Sequence, residues 1–228
     1  MIDLEKVIIV TGGATGLGKC LAKQLHTKFN YKVIIVGRTL EKLIATTKEL
    51  TEANYNCSYY VLDITNDDQV KVFMNELQKN YEIYGLVNNA GLGIFGSFTQ
   101  STKEQLEMML QTNVIGTYLL TKYVLPSIKE GFVMNIISTA GLVGKPNEAL
   151  YCASKFALAG LTESLQKEYA YLPVHIQAVY MGGMDTPFWD HSDHIKDKTR
   201  LANPCEVATY ILEHFDSEKI IVPKNLKE

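Results

Sequence analysis

The sequence predicts an α/β fold: a doubly wound, mostly parallel sheet with helices on both faces. Three observations predict it. Short runs that are apolar throughout alternate with longer amphipathic stretches along the chain, the pattern of strands buried on both faces between crossover helices. The first such run ends in a glycine-rich turn that opens a helix. Chemically distinctive residues (Gly12 to Gly18, Arg38, Asp63, Asn89, Ser138, Gly182) follow one strand after another. They share the carboxyl edge, where open parallel sheets bind ligands.

The first strand is Lys6 to Val10, KVIIV, and it stops in TGGATGLG, Thr11 to Gly18. Leu17, Leu21, Leu25 and Phe29 then recur four apart, as on one face of a helix. Gly12 permits a tight turn. Gly16 and Gly18 would let backbone approach a pyrophosphate at the helix N-terminus, with Thr15 and Leu17 beside them. The glycine spacing is not GxGxxG, and an ordinary glycine-rich turn is the alternative. The second strand, Tyr31 to Val36, ends in Gly37-Arg38-Thr39. An acid about there would bind a ribose 2′-OH, whereas a guanidinium pairs with a 2′-phosphate. Arg38 therefore predicts NADP(H) rather than NAD(H), against the alternative of an exposed arginine at a strand end.

A helix is expected over Leu40 to Ala53, a strand over Ser58 to Leu62 closed by Asp63-Ile64-Thr65, and a helix over Gln69 to Lys79. A short strand, Gly85 to Val87, runs into Asn88-Asn89-Ala90-Gly91, which without context is turn chemistry. Leu92 to Gln100 reads as a glycine-punctuated loop. One long helix follows from Thr102 to about Val124 and carries Asn113, which must face solvent or find a specific partner. Phe132 to Ile137 is the fifth strand, ending at Ser138. A helix over Ala149 to Ala170 leads to a sixth strand, His175 to Tyr180, and then to Met181-Gly182-Gly183-Met184-Asp185-Thr186. Residues 187 to 203 are polar and turn-rich. Pro204 to Phe215 reads as a helix and Ile220 to Val222 as a last strand.

Tyr151 and Lys155 lie four apart on the Ala149 to Ala170 helix and so share a face. A cation beside a phenol favours the phenolate and is expected to lower its pKa, which would let it pass a proton at neutral pH. A core tyrosine next to a solvated lysine is the alternative.

The 228 residues are 46% hydrophobic and 21% charged with net charge −3, as expected of one globular domain over 1–228. No basic excess points to nucleic acid or an anionic membrane, and no apolar run could span a bilayer. The chain begins almost directly on a strand, so no signal peptide is expected. Cys20, Cys57, Cys152 and Cys205 are far apart, without metal-ligand spacing. They are expected to be reduced thiols in a cytoplasmic protein. No metal site is expected; His191 and His194 would need further ligands.

TGGATGLG, the DIT at Asp63, NNAG, Asn113, Ser138, YCASK and GGMDT occur in the order found in the short-chain dehydrogenase/reductase family, which the chain resembles from Lys6 to roughly Ala208. The resemblance is to its single-domain branch, which includes the 3-oxoacyl-carrier-protein reductases. It implies a Rossmann-type fold, an NADP(H) cofactor and a small ketone, aldehyde or secondary alcohol as substrate. It implies that Tyr151 is the proton donor or acceptor, that Lys155 lowers its pKa and holds the nicotinamide ribose, and that Ser138 holds the carbonyl oxygen. Asn113 would position a water in a proton relay. Gly12, Gly16 and Gly18 would form the pyrophosphate turn, Asp63 and Ile64 would meet the adenine, and Asn89, Ala90 and Gly91 would face the adenosine side. Gly182, Met184 and Thr186 would lie along the nicotinamide. Met181 stands where the family usually has proline, so that loop starts less rigidly. The segment 187 to 203 is short, implying a small lid. No glycine-rich segment follows the last strand, which favours a homodimer through the two long helices over a tetramer. By position, Phe95, Leu142, Tyr180, Met184, Phe188 and Trp189 are candidates for the substrate pocket or for core. A non-catalytic NADP(H) sensor on the same fold is the rival reading.

Overall fold

The computed structural model describes residues 4–190, 192–224 and 226. In chain order the elements are β1 (Glu5–Thr11), α1 (Gly16–Phe29), β2 (Lys32–Gly37), α2 (Leu40–Glu52), β3 (Cys57–Val61), α3 (Asp67–Asn80) and β4 (Tyr81–Asn88). Then come α4 (Lys103–Leu110), α5 (Thr117–Val124), β5 (Gly131–Ile136), α6 (Ala149–Glu168), β6 (Val174–Tyr180), α7 (Pro204–Glu213) and β7 (Lys219–Ile221). The seven strands form one sheet in the order β3-β2-β1-β4-β5-β6-β7, every pair parallel. The chain winds outward from β1 to β3, then returns past β1 to β4. The direction of winding therefore reverses between β1 and β4, and a crevice opens there.

Continuous apolar strands are needed because both faces are covered. Ile8, Val10, Val33 and Ile35 point to the layer of α1 and α7, where Leu21, Leu25 and Ile211 meet them. The alternate residues Val7, Ile9, Ile34 and Val36 point to the layer of α3 and α5, against Phe73, Leu120 and Val124. Each such fully buried chain contributes about 2 kcal/mol relative to exposure. At the β3 edge the rule relaxes, and Tyr59 and Val61 are exposed.

Local signals explain the boundaries that differ from expectation. The third helix begins at Asp67, earlier than Gln69, because the Asn66 side chain caps it by accepting from the Gln69 N–H. β4 begins at Tyr81 rather than Gly85, pairing Tyr81 and Glu82 with Glu5 and Lys6 before a register shift. The long helix from Thr102 to Val124 runs as α4 and α5 joined through a π-helical turn over Gln111–Gly116 that contains Asn113.

The reduced state expected for all four cysteines is corrected. Cys20 in α1 and Cys205 at the start of α7 form a disulfide with a Cα–Cα distance of 5.0 Å, across 185 residues of sequence. Linear separation hid this pair, because α1 and α7 become neighbours only when the sheet is wound. Gln24 also joins these helices, donating to the Cys205 carbonyl at 3.1 Å and to Thr209 Oγ1 at 3.0 Å. Cys57 and Cys152 are free and buried, and burial pushes the Cys57 thiol up to about 11.

Candidate active site

A cleft of about 520 Å³ runs along the carboxyl edge of the sheet, over the reversal between β1 and β4. At one end the turn after β1 forms its floor. Gly12 and Gly16 have φ of 61° and 50°, in the left-handed region that glycine tolerates. A Cβ on Gly16 would come within 2.8 Å of the Thr186 side chain, so the turn and the loop after β6 approach each other across the cleft. Gly18 differs from expectation. It does not line the cleft: its Cβ would meet the Gly12 carbonyl at 2.3 Å. Its role is to seat α1 tightly on the turn.

The turn is held from below by Asn89. Its side-chain amide donates to the Thr11 carbonyl at 3.0 Å and the Gly12 carbonyl at 3.2 Å, while the N–H groups of Asn89 and Ala90 both donate to Thr11 Oγ1 at 3.0 Å. Asn88 does the same for the neighbouring strand, donating to Asn135 Oδ1 at 2.8 Å and Thr121 Oγ1 at 3.0 Å. Two asparagines in succession thus fasten β4 to the strands on either side.

Of the residues the sequence singled out, Gly12, Thr15, Gly16, Leu17, Arg38, Asp63, Ile64, Asn89, Ala90, Gly91, Gly182, Met184 and Thr186 all border this cleft, as do Ser138, Tyr151 and Lys155. Arg38 is exposed and has no ion-pair partner among the described residues. Lys42, one turn into α2, joins it at the rim and was missed; its position four residues after Arg38 was the available signal. Asp63 is partly committed: its Oδ1 accepts from the Thr65 N–H at 3.0 Å and Thr65 Oγ1 at 2.8 Å. The glycine cradle and a cleft along the carboxyl edge of the sheet fit a nicotinamide dinucleotide.

At the other end Ser138, Tyr151 and Lys155 come together, all buried. Ser138 has φ 104° and ψ 151°, a conformation that costs a non-glycine residue about 1–3 kcal/mol. Surrounding bonds hold it: Ile137 N–H donates to the Val179 carbonyl at 2.8 Å, Thr139 N–H to the Met181 carbonyl at 2.9 Å, and Ala140 N–H to Ser138 Oγ at 3.2 Å. Lys155 Nζ sits 5.7 Å from the centre of the Tyr151 ring and donates to the Ile136 carbonyl at 3.1 Å.

The charges run opposite to one expectation. Burial pushes the Tyr151 phenol well above its ordinary value; Ser138 pulls it down, and Glu148 and Cys152 add to the rise. Burial likewise lowers the Lys155 ammonium to about 8. Desolvation is the largest cause of both shifts.

Asn113 does not border the cleft. It is fully buried, accepts from the Leu92 N–H at 2.7 Å, and donates to the Leu92 carbonyl at 2.8 Å and to Ser154 Oγ at 2.9 Å. Its side chain is thus occupied in joining the π turn, the loop after β4 and α6. This is the specific partner that a mid-helix asparagine required.

The remaining wall is aromatic. Phe95 packs on Tyr151 with centroids 5.3 Å apart, stacks on Trp189 at 5.2 Å and on His194 at 4.6 Å. Met184, Phe188 and Trp189 border the cleft, whereas Phe95 backs them and Tyr180 belongs to a core cluster with Ile137 and Leu158. Leu142 is exposed away from the cleft. The segment 184 to 202 closes on itself: Met184 bridges to Ala202, Asp185 N–H donates to the Ala202 carbonyl at 3.0 Å, and Trp189 Nε1 donates to the Met184 carbonyl at 3.0 Å. His194 Nε2 lies 3.1 Å from Glu148 Oε1, linking this lid to the start of α6. Glu148 and Lys145, both at the cleft, were not singled out in the sequence, where nothing separates them from surface charges. Among the described residues no cluster of three or more His, Cys, Asp or Glu side chains could hold a metal; His191 lies outside those residues. No described helix is long and apolar enough to cross a membrane.

The sequence pattern of the short chain dehydrogenases matches residues 6–196. An uncharacterized oxidoreductase of Staphylococcus saprophyticus is 30% identical over 220 residues, covering 93% of this chain and 94% of its own. Among solved structures, an actinorhodin polyketide ketoreductase with NADPH superposes with a TM-score of 0.86 at 25% identity, covering 97% of each chain. A short-chain dehydrogenase/reductase of Burkholderia phymatum in complex with NAD gives 0.85 at 21% identity, covering 98% of this chain and 90% of that one. Family pattern, strand order and cleft agree, and the chain belongs to the short-chain dehydrogenase/reductase family of oxidoreductases.

Proposed function

We propose that this oxidoreductase is an NADP(H)-dependent carbonyl reductase acting as one unit over residues 1–228. The observation that carries the reading is the convergence of Ser138, after β5, with Tyr151 and Lys155 of α6 at one end of a cleft whose other end is a glycine cradle. When bound, the nicotinamide supplies the hydride. Gly12, Thr15, Gly16 and Leu17 would hold its pyrophosphate, and Arg38, with Lys42 beside it, the 2′-phosphate. Asp63, Ile64, Asn89, Ala90 and Gly91 would flank the adenosine; Gly182, Met184 and Thr186 the nicotinamide end.

Ser138 and Tyr151 would each donate a hydrogen bond to the substrate carbonyl oxygen, where negative charge grows in the transition state. A phenol raised by burial stays protonated at neutral pH. Tyr151 therefore starts as a donor and passes its proton to the forming alkoxide. Lys155, next to it, would hold the nicotinamide ribose and favour the tyrosinate left behind. Asn113 acts as a positioning residue through Ser154 and Leu92, where the resemblance implies a water relayed toward Lys155. Oxidation of a secondary alcohol uses the same groups in reverse. NADPH absorbance followed with a panel of ketones, aldehydes and diketones tests the reading in wild type and Tyr151→Phe. Consumption in wild type and its loss in the variant are expected; unchanged turnover would sink the mechanism. Cofactor binding without consumption of any carbonyl would instead favour the sensor reading.

The homodimer belongs to the same reading; the cytoplasmic location, expected with reduced thiols, loses that support to the Cys20–Cys205 disulfide. Met108 of α4, Ile115 in the π turn, Tyr118 of α5 and Phe156 of α6 are exposed apolar side chains on the helices expected to pair. Light scattering should give twice the chain mass, and Tyr118→Glu should return it to the mass of one chain. A wild-type monomer at micromolar concentration would remove the dimer from the reading.

A further inference from the structure

Lys145 is the part of the cleft that the mechanism leaves unused. It lies in the turn between Ser138 and α6, half-buried, and borders the same cleft as Ser138, Tyr151 and Glu148. Its Nζ donates to Thr139 Oγ1 at 2.9 Å, and Thr139 is the residue next to Ser138. The nearby acid is not its partner: Glu148 Oε1 instead faces His194 Nε2 at 3.1 Å, with both side chains largely buried. Among the described residues Lys145 forms no ion pair. An ammonium has three donors, and Thr139 takes one.

On the lid side the same cleft is bordered by Met184, Phe188, Trp189 and Ile195. A cation with donors to spare, held by the residue next to the one that would bind the carbonyl oxygen, in a cleft with an apolar lid side, is a receptor for an anionic oxygen. In such surroundings a charge-assisted hydrogen bond is stronger than in water. We propose that Lys145 is a specificity-determining residue that binds the carboxylate of an oxo-acid substrate, whose keto group lies one or two carbons away at Ser138 and Tyr151. The inference rests on the carbonyl-reductase reading and narrows its substrate to acidic carbonyl compounds.

The test uses the full-length protein with NADPH and paired probes: acetoacetate and 2-oxobutanoate against their methyl esters. Wild type should show a KM for each acid roughly tenfold below that for its ester. Lys145→Met should raise the KM for the acids by about tenfold while kcat changes less than about twofold, the pattern of lost uniform binding. The ester values and the KM for NADPH should not move, and Lys145→Arg should keep the preference for acids. Preference of wild type for esters or neutral diketones overturns the proposal. So does an equal loss on acids and esters, or a rise confined to the KM for NADPH. If wild type reduces no carbonyl at all, the carbonyl-reductase reading fails. Lys145 is then judged by calorimetry with 3-hydroxybutanoate and NADP⁺: weaker binding to Lys145→Met supports the carboxylate site, and equal binding overturns it.

Discussion

The two ends of the cleft are built differently. The end over the β1–β4 reversal is made of backbone: glycines at positive φ, strand ends and asparagines that fasten them to one another. The end over Tyr151 is made of side chains: an aromatic stack of Phe95, Trp189 and His194, a Glu148–His194 contact, and a lysine held by a threonine. A backbone cradle binds what every user of a dinucleotide shares. A side-chain wall can be recomposed without disturbing the sheet. The difference locates general binding in one half and selectivity in the other.

Four measurements would break or sharpen that contrast, and the largest effect belongs where the halves meet. Tyr151→Phe removes the proton donor and should lower kcat by about 10²–10⁴-fold with cofactor affinity retained. Loss of cofactor binding as well would mean the halves are not separable.

Next in size is the covalent tie between the cradle helix α1 and the helix that follows the lid. Cys205→Ser, or reductant on wild type, should cost about 2–4 kcal/mol in denaturant unfolding. Reductant should then leave Cys205→Ser unchanged. A wild type that titrates with four free thiols would restore the reduced state expected from sequence.

Arg38→Asp acts on the cradle half alone. It should weaken NADPH by roughly 10–100-fold, with NADH nearly unaffected, since a charge-assisted contact to the 2′-phosphate is exchanged for repulsion. Equal losses for both cofactors would mean that Arg38 does not touch that phosphate.

The smallest effect is a pH slope. The folded state holds Lys155 at about 8, below its ordinary 10.5. Below pH 8 both folded and unfolded chains carry the proton and the burial penalty is full. Between about 8 and 10.5 the unfolded chain binds the proton and the folded one does not, so stability rises with pH. Tyr151 contributes the opposite slope only above its unfolded value of 10.0. Urea midpoints between pH 8 and 10 should therefore climb more steeply in wild type than in Lys155→Met. Parallel curves would show that Lys155 is not desolvated.

The same division explains what was legible. The seven strands, the carboxyl edge and the cradle could be read because each has a linear signature: an apolar run, a small polar cluster after a strand, a glycine spacing. Ser138, Tyr151 and Lys155 could be read because the resemblance fixes their spacing. Lys145, Glu148 and His194 could not, since their importance lies in which polar group each meets in the fold, Glu148 and His194 meeting across 46 residues of chain. The Cys20–Cys205 bond was hidden for the same reason. Gly18 was placed in the right turn with the wrong task, because sequence does not say whether a missing Cβ makes room for a ligand or for the protein's own carbonyl. Likewise the burial that raises Tyr151 is a three-dimensional quantity, and the neighbouring cation was visible while the lost water was not.

The backbone angle at Ser138 carries a consequence for which hydroxyl amino acid can serve there. At φ 104° a β-branched side chain is more strained than serine, so threonine, chemically the nearest replacement, is the disfavoured one. Two alcohols that a chemist would exchange freely are kept apart at this position by the shape of the main chain.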